Sequence, residues 1–214
     1  MEQSIVLNFF GGVSEDGLNW AVNFEKVLIE LTRWLLPIGI CLLAEGFCME
    51  KWKKIEPLSC CRYETVKIWW RHKFFRNLLY GISMAAVLFL AAIAVDTLRA
   101  VNFYGEVWKV FVLWFVHVIT IMSFFIILDL TKFRTLAPAI LLLFEVVTFL
   151  AGFQSIRAAQ FMYGMWGMYF QSEWYFGEMG VSVVPSLIIQ GILLVIGYLI
   201  GSFLLERTTQ DIQR

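Results

Sequence analysis

The chain has 214 residues, of which 60% are hydrophobic and 17% aromatic, and its mean hydropathy is +0.74. This composition is too apolar for a soluble globular domain, so we expect an integral membrane protein. Positive and negative residues balance, but the basic ones are concentrated in one loop beside apolar segments, which favours contact with the membrane and argues against nucleic-acid binding.

The first 26 residues mix short apolar patches with Glu15, Asp16 and Glu25. No stretch here reaches the roughly 20 apolar residues that a helix needs to cross a bilayer. We therefore predict an amphipathic segment that lies in the membrane interface, on the outer side.

The first predicted span covers about residues 27–47 and contains Glu30, Arg33, Pro37 and Glu45. Glu30 and Arg33 are three residues apart, so on a helix they can pair and neutralise each other. Pro37 predicts a kink.

The loop from Met49 to Arg76 is the most polar long segment and holds eight of the seventeen Lys and Arg residues. Lys and Arg near the ends of spans stay in the cytoplasm, so we place the loop there. Its second half has aromatic and aliphatic residues at three- and four-residue steps, which predicts a cationic helix with an aromatic face.

Four further spans are predicted at about residues 77–95, 107–128, 135–153 and 183–205. Together they give an all-α membrane protein with a single transmembrane domain over residues 27–214 and its N-terminus outside. Twelve of the seventeen basic residues then fall inside, in the loop, the turn at 129–134 and the C-terminal tail. A sixth span would need the first 26 residues to cross, which their polarity opposes.

Between the last two spans, residues 154–180 are rich in aromatic residues, methionine and glycine. Amphipathic rings at this density are typical of the headgroup level of a membrane. The segment is too polar and interrupted to span, which favours re-entrant or interfacial helices. A plain aromatic belt that anchors the neighbouring spans is the alternative.

Three ionisable residues fall at membrane depth: Glu45, His117 and Glu145. Such residues usually face a bundle interior or a wet cavity. His117 and Glu145 lie on neighbouring spans and can meet. A hydrogen-bonded pair that locks the bundle is favoured over a role with a proton or a substrate.

Motifs for chemistry are sparse in the sequence. There is no phosphate-binding loop, since no glycine is followed by lysine anywhere in the chain. With two histidines and no metal-ligand spacing, a zinc hydrolase is not expected. We expect neither a metal nor a cofactor in this chain, and we do not expect an enzyme.

The run Arg62-Tyr63-Glu64-Thr65, followed by Trp69-Trp70 and Lys73, leads directly into a span. It resembles the first cytoplasmic loop of export-type ABC transporter permeases, especially those of bacteriocin and lantibiotic export and immunity systems. The aromatic segment before the last span is similar to the re-entrant elements of that family. The family usually has six spans and an internal N-terminus, from which the five predicted spans depart.

The resemblance implies a permease subunit in the cell membrane that exports a peptide or lipid-like substrate. It implies a separate ATPase subunit, which would bind ATP and Mg²⁺, and a second copy of this or a similar permease. The implied ATPase-docking residues are Arg62, Tyr63, Val66, Lys67 and Trp70. The implied outer substrate contacts are Tyr163, Trp166, Tyr169 and Trp174. A non-transporting assembly or regulatory subunit, whose basic loop serves topology and anionic lipid, is the rival hypothesis.

Overall fold

The computed structural model describes residues 4–14, 23–53, 63, 65–101 and 105–212. Their α-helices are α1 (Ile5–Phe10), α2 (Phe24–Lys53), α3 (Val66–Leu98), α4 (Val107–Leu128), α5 (Ala137–Gly152), α6 (Ile156–Ala159), α7 (Tyr163–Trp166), α8 (Glu173–Phe176) and α9 (Val183–Ile212). Short 3-10 turns lie at Arg134–Leu136, Tyr169–Gln171 and Gly177–Met179. The only β contact within the described ranges is a single bridge between Ser172 and Val181.

Helices α2, α3, α4 and α9, and α5 together with the 3-10 turn at Arg134–Leu136, contain the segments that are long and apolar enough to cross a membrane. The expectation of a helical fold is thereby confirmed, as is that of five helices long and apolar enough to span a membrane. A multi-pass membrane protein follows from the length and apolar character of these helices.

Helix α4 is the centre of the bundle. In its most apolar stretch 67% of the residues are buried, against 22–39% in the other four long helices. It packs on α1, α2, α3, α5 and α9. The outer faces of α5 and α9 remain apolar and exposed, as expected for helices that face lipid.

Helix α3 is continuous over 33 residues, a length of about 50 Å at 1.5 Å per residue. Thr65 caps its start, because its side chain accepts a hydrogen bond from the Ile68 amide. Residues 66–76, in the predicted loop helix, and the predicted span from residue 77 therefore belong to one continuous helix, α3. Residues 54–62 and 64 lie outside the described part of the chain.

The start of the chain packs into the bundle beside α2, α3 and α4. Asp96, near the end of α3, is fully buried and accepts hydrogen bonds from Ser4 Oγ and from the amides of Ile5 and Val6 at 2.8–2.9 Å. These are amides of the first turn of α1, which a carboxylate satisfies well. The predicted amphipathic segment is thus anchored to the end of a long helix, while its residues 15–22 lie outside the described ranges.

The expected pairing of Glu30 with Arg33 is not observed among the described ion pairs. Glu30 accepts hydrogen bonds from the backbone amide and hydroxyl of Ser14 and lies 3.8 Å from Lys26. Its carboxylate therefore holds the N-terminal segment against α2. Pro37 lies inside α2, which continues through it to Lys53.

Candidate functional site

A polar pair lies in the middle of the bundle. Nε2 of His117 on α4 is 2.7 Å from Oε1 of Glu145 on α5, and both side chains are fully buried. The predicted meeting of these two residues is therefore observed. Because polar groups at this depth are costly without a partner, the contact ties α4 to α5.

Two aromatic side chains complete the surroundings of the pair. Trp34 on α2 donates its indole N–H to the same Glu145 oxygen at 3.3 Å. The ring of Tyr163 stacks on the imidazole of His117 with 4.4 Å between centroids, and its hydroxyl donates to the His117 carbonyl oxygen at 2.9 Å. Side chains from α2, α4, α5 and α7 thus converge on one point.

The aromatic segment reaches this point because two of its residues are glycines. A Cβ atom at Gly164 would lie 2.5 Å from the carbonyl oxygen of Glu145 and 2.7 Å from the amide nitrogen of Phe149. A Cβ atom at Gly167 would lie 2.5 Å from Cγ of His117. Side chains larger than hydrogen would therefore hold the segment away from α4 and α5.

The segment enters far into the bundle relative to the ends of α4. His117 lies ten residues after Val107, the first residue of α4, which is about 15 Å along the helix axis. Short helices, turns and glycines form this part of the chain, as expected where backbone is buried against protein rather than lipid.

Near the start of α4 a second polar contact holds the segment. The hydroxyl of Tyr169 donates a short hydrogen bond to the Glu106 carboxylate, which Lys109 also approaches to 3.0 Å. Burial, followed by this hydrogen bond, raises the pKa of Tyr169 above its ordinary value. The same hydrogen bond, with the one from Lys109, lowers the pKa of Glu106.

The geometry of the His117–Glu145 pair limits what chemistry it can support. A histidine and a carboxylate at 2.7 Å form a hydrogen bond, and Nδ1 of His117 and Oε2 of Glu145 have no described hydrogen-bond partner. No group of three His, Cys, Asp or Glu side chains suited to a metal ion occurs within the described residues. The arrangement can therefore lock helices α2, α4 and α5 together.

Glu45, the third intramembrane residue, lies apart from the pair. It is eleven residues beyond Trp34 on α2, about 16 Å along the helix. Its carboxylate is buried beside Gly81 of α3, and neither oxygen has a hydrogen-bond partner in the described part of the chain.

The residues expected to dock an ATPase have different surroundings. Trp70 is fully buried. Its indole N–H donates to the Tyr198 carbonyl oxygen at 3.0 Å, and its ring lies against Gly201 of α9. Lys67 is exposed and forms a 2.8 Å ion pair with Glu206. Tyr63, partly buried, lies against His72 with 5.0 Å between ring centroids, and Val66 is partly buried. Arg62 lies outside the described residues.

The four expected substrate contacts are mostly covered by the chain itself. Tyr163, Trp166 and Tyr169 are buried, and Trp166 donates to the Gln160 carbonyl oxygen at 3.0 Å. Trp174 is partly exposed and packs on Trp108 with 5.3 Å between ring centroids. Among the described residues, exposed rings near this end of the bundle include those of Phe161, Tyr175 and Trp108.

Comparison with known proteins does not place this arrangement in a family. No protein-family model, no curated protein and no solved structure matches the chain. Sequence reasoning had missed Trp34 and Asp96 as parts of polar contacts, and a tryptophan or an aspartate near a helix end carries no signal of its distant partner.

Proposed function

We propose that this chain is the membrane subunit of an ABC-type exporter in the cell membrane, with the basic loop and the C-terminus in the cytoplasm. It works with a separate ATPase subunit and with a second copy of itself or a similar permease. Its substrate is amphiphilic, a peptide or a lipid-like molecule. ATP hydrolysis belongs to the partner, and this chain does no covalent chemistry.

The observation that carries the proposal is the position of the aromatic segment. Residues 156–179 leave α5, pack against α4, α5 and α9, and reach the His117–Glu145 pair before α9 begins. A segment that fills one end of a helix bundle can close a path and open it when the helices separate. This is what an alternating-access exporter requires of its outer end.

Helix α3 would transmit movement of the ATPase subunit to the rest of the bundle. Its first turns contact α9 through Trp70 and Tyr198, and they contact the end of α4 through a buried ion pair of Lys73 and Asp129 at 3.5 Å. Because α3 is continuous, a push on these first turns moves the whole 33-residue helix. Movement of an ATPase would thus reach α4 and α9 together.

The surface available to an ATPase on these turns is the face opposite Trp70. Arg71, His72 and Phe75 are exposed there. A cationic and aromatic helix face of this kind suits a groove on a partner protein. The docking role is therefore assigned to this face, with Trp70 holding α3 on α9 behind it.

The experiment is a charge reversal on the exposed face. The tagged chain is purified in mild detergent, and any co-purifying ATPase with a phosphate-binding loop is quantified for wild type and for Arg71→Glu. We expect at least tenfold loss of the ATPase with this variant. Arg99→Glu, at the exposed other end of α3, is the matched control and should retain it. Equal recovery with both variants contradicts the docking face.

The rival function, a non-transporting assembly or regulatory subunit, is favoured by one observation. Trp70 and Lys67, two of the expected docking residues, are engaged within the chain by Tyr198 and Glu206. If the basic end of the bundle only packs against α9 and binds anionic lipid, the chain does not require an ATPase partner. This candidate predicts full stability and an unchanged set of partners after Arg71→Glu.

A further inference from the structure

One end of the bundle carries a surplus of positive charge. We call it the basic rim: the last turns of α2 (residues 47–52), the first turns of α3 (residues 67–76) and the turn at residues 129–134. Contacts hold these parts together, since Arg134 pairs with Glu50 and with Asp129, and Asp129 also pairs with Lys73.

The charges of the rim do not cancel. The described cationic side chains, apart from Lys67 that pairs with Glu206 of α9, are Lys51, Arg71, Lys73, Arg76, Lys132 and Arg134. Two described acids, Glu50 and Asp129, oppose these six, which leaves a surplus of four positive charges. Lys51 and Lys132 are exposed, and neither forms an ion pair within the described residues.

Each of these exposed cations lies beside an aromatic ring. Nζ of Lys51 is 4.7 Å from the ring centroid of Phe47, and Nζ of Lys132 is 5.6 Å from that of Phe133. The guanidinium of Arg76 lies 4.6 Å above the ring of Trp52, which joins α3 to α2. Phe47 and Phe133 are 64% and 49% exposed, so these rings face the surroundings of the bundle.

This pairing of ring and cation fits one kind of partner. Phe47 precedes Lys51 by four residues, so the cation lies about 6 Å closer to the end of α2 than the ring. Aromatic rings prefer the boundary of the hydrocarbon, and the ammonium group extends toward the headgroups. A dissolved anion would need the cations alone and would leave the rings unexplained.

We propose that the basic rim binds anionic phospholipid, with the phosphate group on Lys51 and Lys132 and the upper acyl chains against Phe47 and Phe133. The site lies on the outside of α2 and of the turn at 129–134. Its occupant holds α2 and the start of α5 together at the membrane surface. The inference does not depend on an ATPase partner.

The test is thermal stabilisation of the purified chain by added lipid. The chain in neutral detergent is titrated with dioctanoyl phosphatidylglycerol or with dioctanoyl phosphatidylcholine. We expect a higher Tm with the anionic lipid at concentrations where the zwitterionic lipid has no effect. Equal stabilisation by both lipids, or equal stabilisation by inorganic phosphate at the same concentration, contradicts the proposal.

Two double variants locate the site. Each Lys or Arg near a membrane surface contributes about 1 kcal/mol of attraction to anionic lipid, so Lys51→Gln with Lys132→Gln should raise the half-saturating concentration about 25-fold. Arg99→Gln with Arg157→Gln removes two exposed cations elsewhere and should leave it unchanged. If the Lys51→Gln, Lys132→Gln variant has the same half-saturating lipid concentration as wild type, the assignment is wrong. Lys51→Arg with Lys132→Arg keeps the charges and should restore binding, which separates loss of the site from a change in folding.

Discussion

Nε2 of His117 lies 2.7 Å from Oε1 of Glu145, and neither side chain is exposed. This contact joins the central helix α4 to α5, and Trp34 of α2 donates to the same carboxylate oxygen. Three long helices thus depend on one buried acid. The aromatic segment covers the contact from a fourth direction through Tyr163.

Removal of this acid should destabilise the bundle. Glu145→Ala leaves the Trp34 indole N–H and the facing His117 nitrogen buried without their partner, at a cost of about 3 kcal/mol or more. Glu145→Gln keeps a hydrogen-bonding group of the same shape and should cost less than half as much. Unfolding of both variants in detergent measures the difference. Glu178→Ala, at an exposed position of the segment, should change nothing.

A methyl group at Gly164 should displace the aromatic segment. A Cβ atom there meets backbone atoms of Glu145 and Phe149 at 2.5 and 2.7 Å, and backbone cannot move aside easily. We expect Gly164→Ala to lower stability by about 1–3 kcal/mol and to increase protease cleavage between residues 156 and 179.

Gly191→Ala is the matched control for that change. Apart from its chain neighbours and the backbone of α9, no atom of the described residues lies within 4 Å of a Cβ at this position, and alanine favours helix over glycine by about 1 kcal/mol. It should leave cleavage of the aromatic segment unchanged. Equal cleavage of wild type and Gly164→Ala would show that the segment does not depend on this close approach.

Trp70 should contribute to stability before any partner binds. Its indole is buried between α3 and α9, so Trp70→Ala should cost about 3–5 kcal/mol in the isolated chain. The neighbouring Arg71→Ala, at an exposed position, should cost less than about 0.5 kcal/mol. Denaturation of the two purified variants checks this. Similar stability of both would mean that Trp70 is not packed as described.

The contact of Tyr169 with Glu106 should make stability depend on pH at both extremes. The pKa of Glu106 is lowered in the folded chain, so its contribution is present above its ordinary value of 4.5 and is lost as the pH falls through the folded value. The pKa of Tyr169 is raised, so its contribution is present below 10 and is lost as the pH rises further.

Tyr169→Phe separates these effects from general denaturation. Without the hydroxyl, the acid-side loss attributed to Glu106 should shrink and the alkaline loss attributed to Tyr169 should disappear. The measurement is Tm between pH 3 and 7 and between pH 9 and 11. Parallel curves for wild type and variant would exclude a contribution from this hydrogen bond.

Hydropathy was sufficient to predict the five long helices, because about 20 apolar residues in a row have few other structures available. It was less informative about where helices end. The first turns of α3 are as rich in Lys and Arg as a loop would be, yet they are helical and continuous with the span. The helix begins there because Thr65 caps it well before the apolar run starts.

The contact of His117 with Glu145 was predicted because both are costly to bury alone and lie on adjacent spans. The role of Trp70 was not, since spacing along α3 cannot show whether a ring faces a partner protein or Gly201 of α9. The close approach of other parts of the chain to Gly201 and Gly164 was also not predicted, because it depends on packing between residues far apart in sequence.

The mass of the affinity-purified complex, measured by native mass spectrometry from mild detergent, tests the central claim most directly. The chain contributes 24.8 kDa. An exporter predicts two membrane subunits together with two copies of an ATPase that carries a phosphate-binding loop. A single, stable 24.8 kDa chain with bound lipid and no ATPase would contradict the exporter and support the non-transporting subunit.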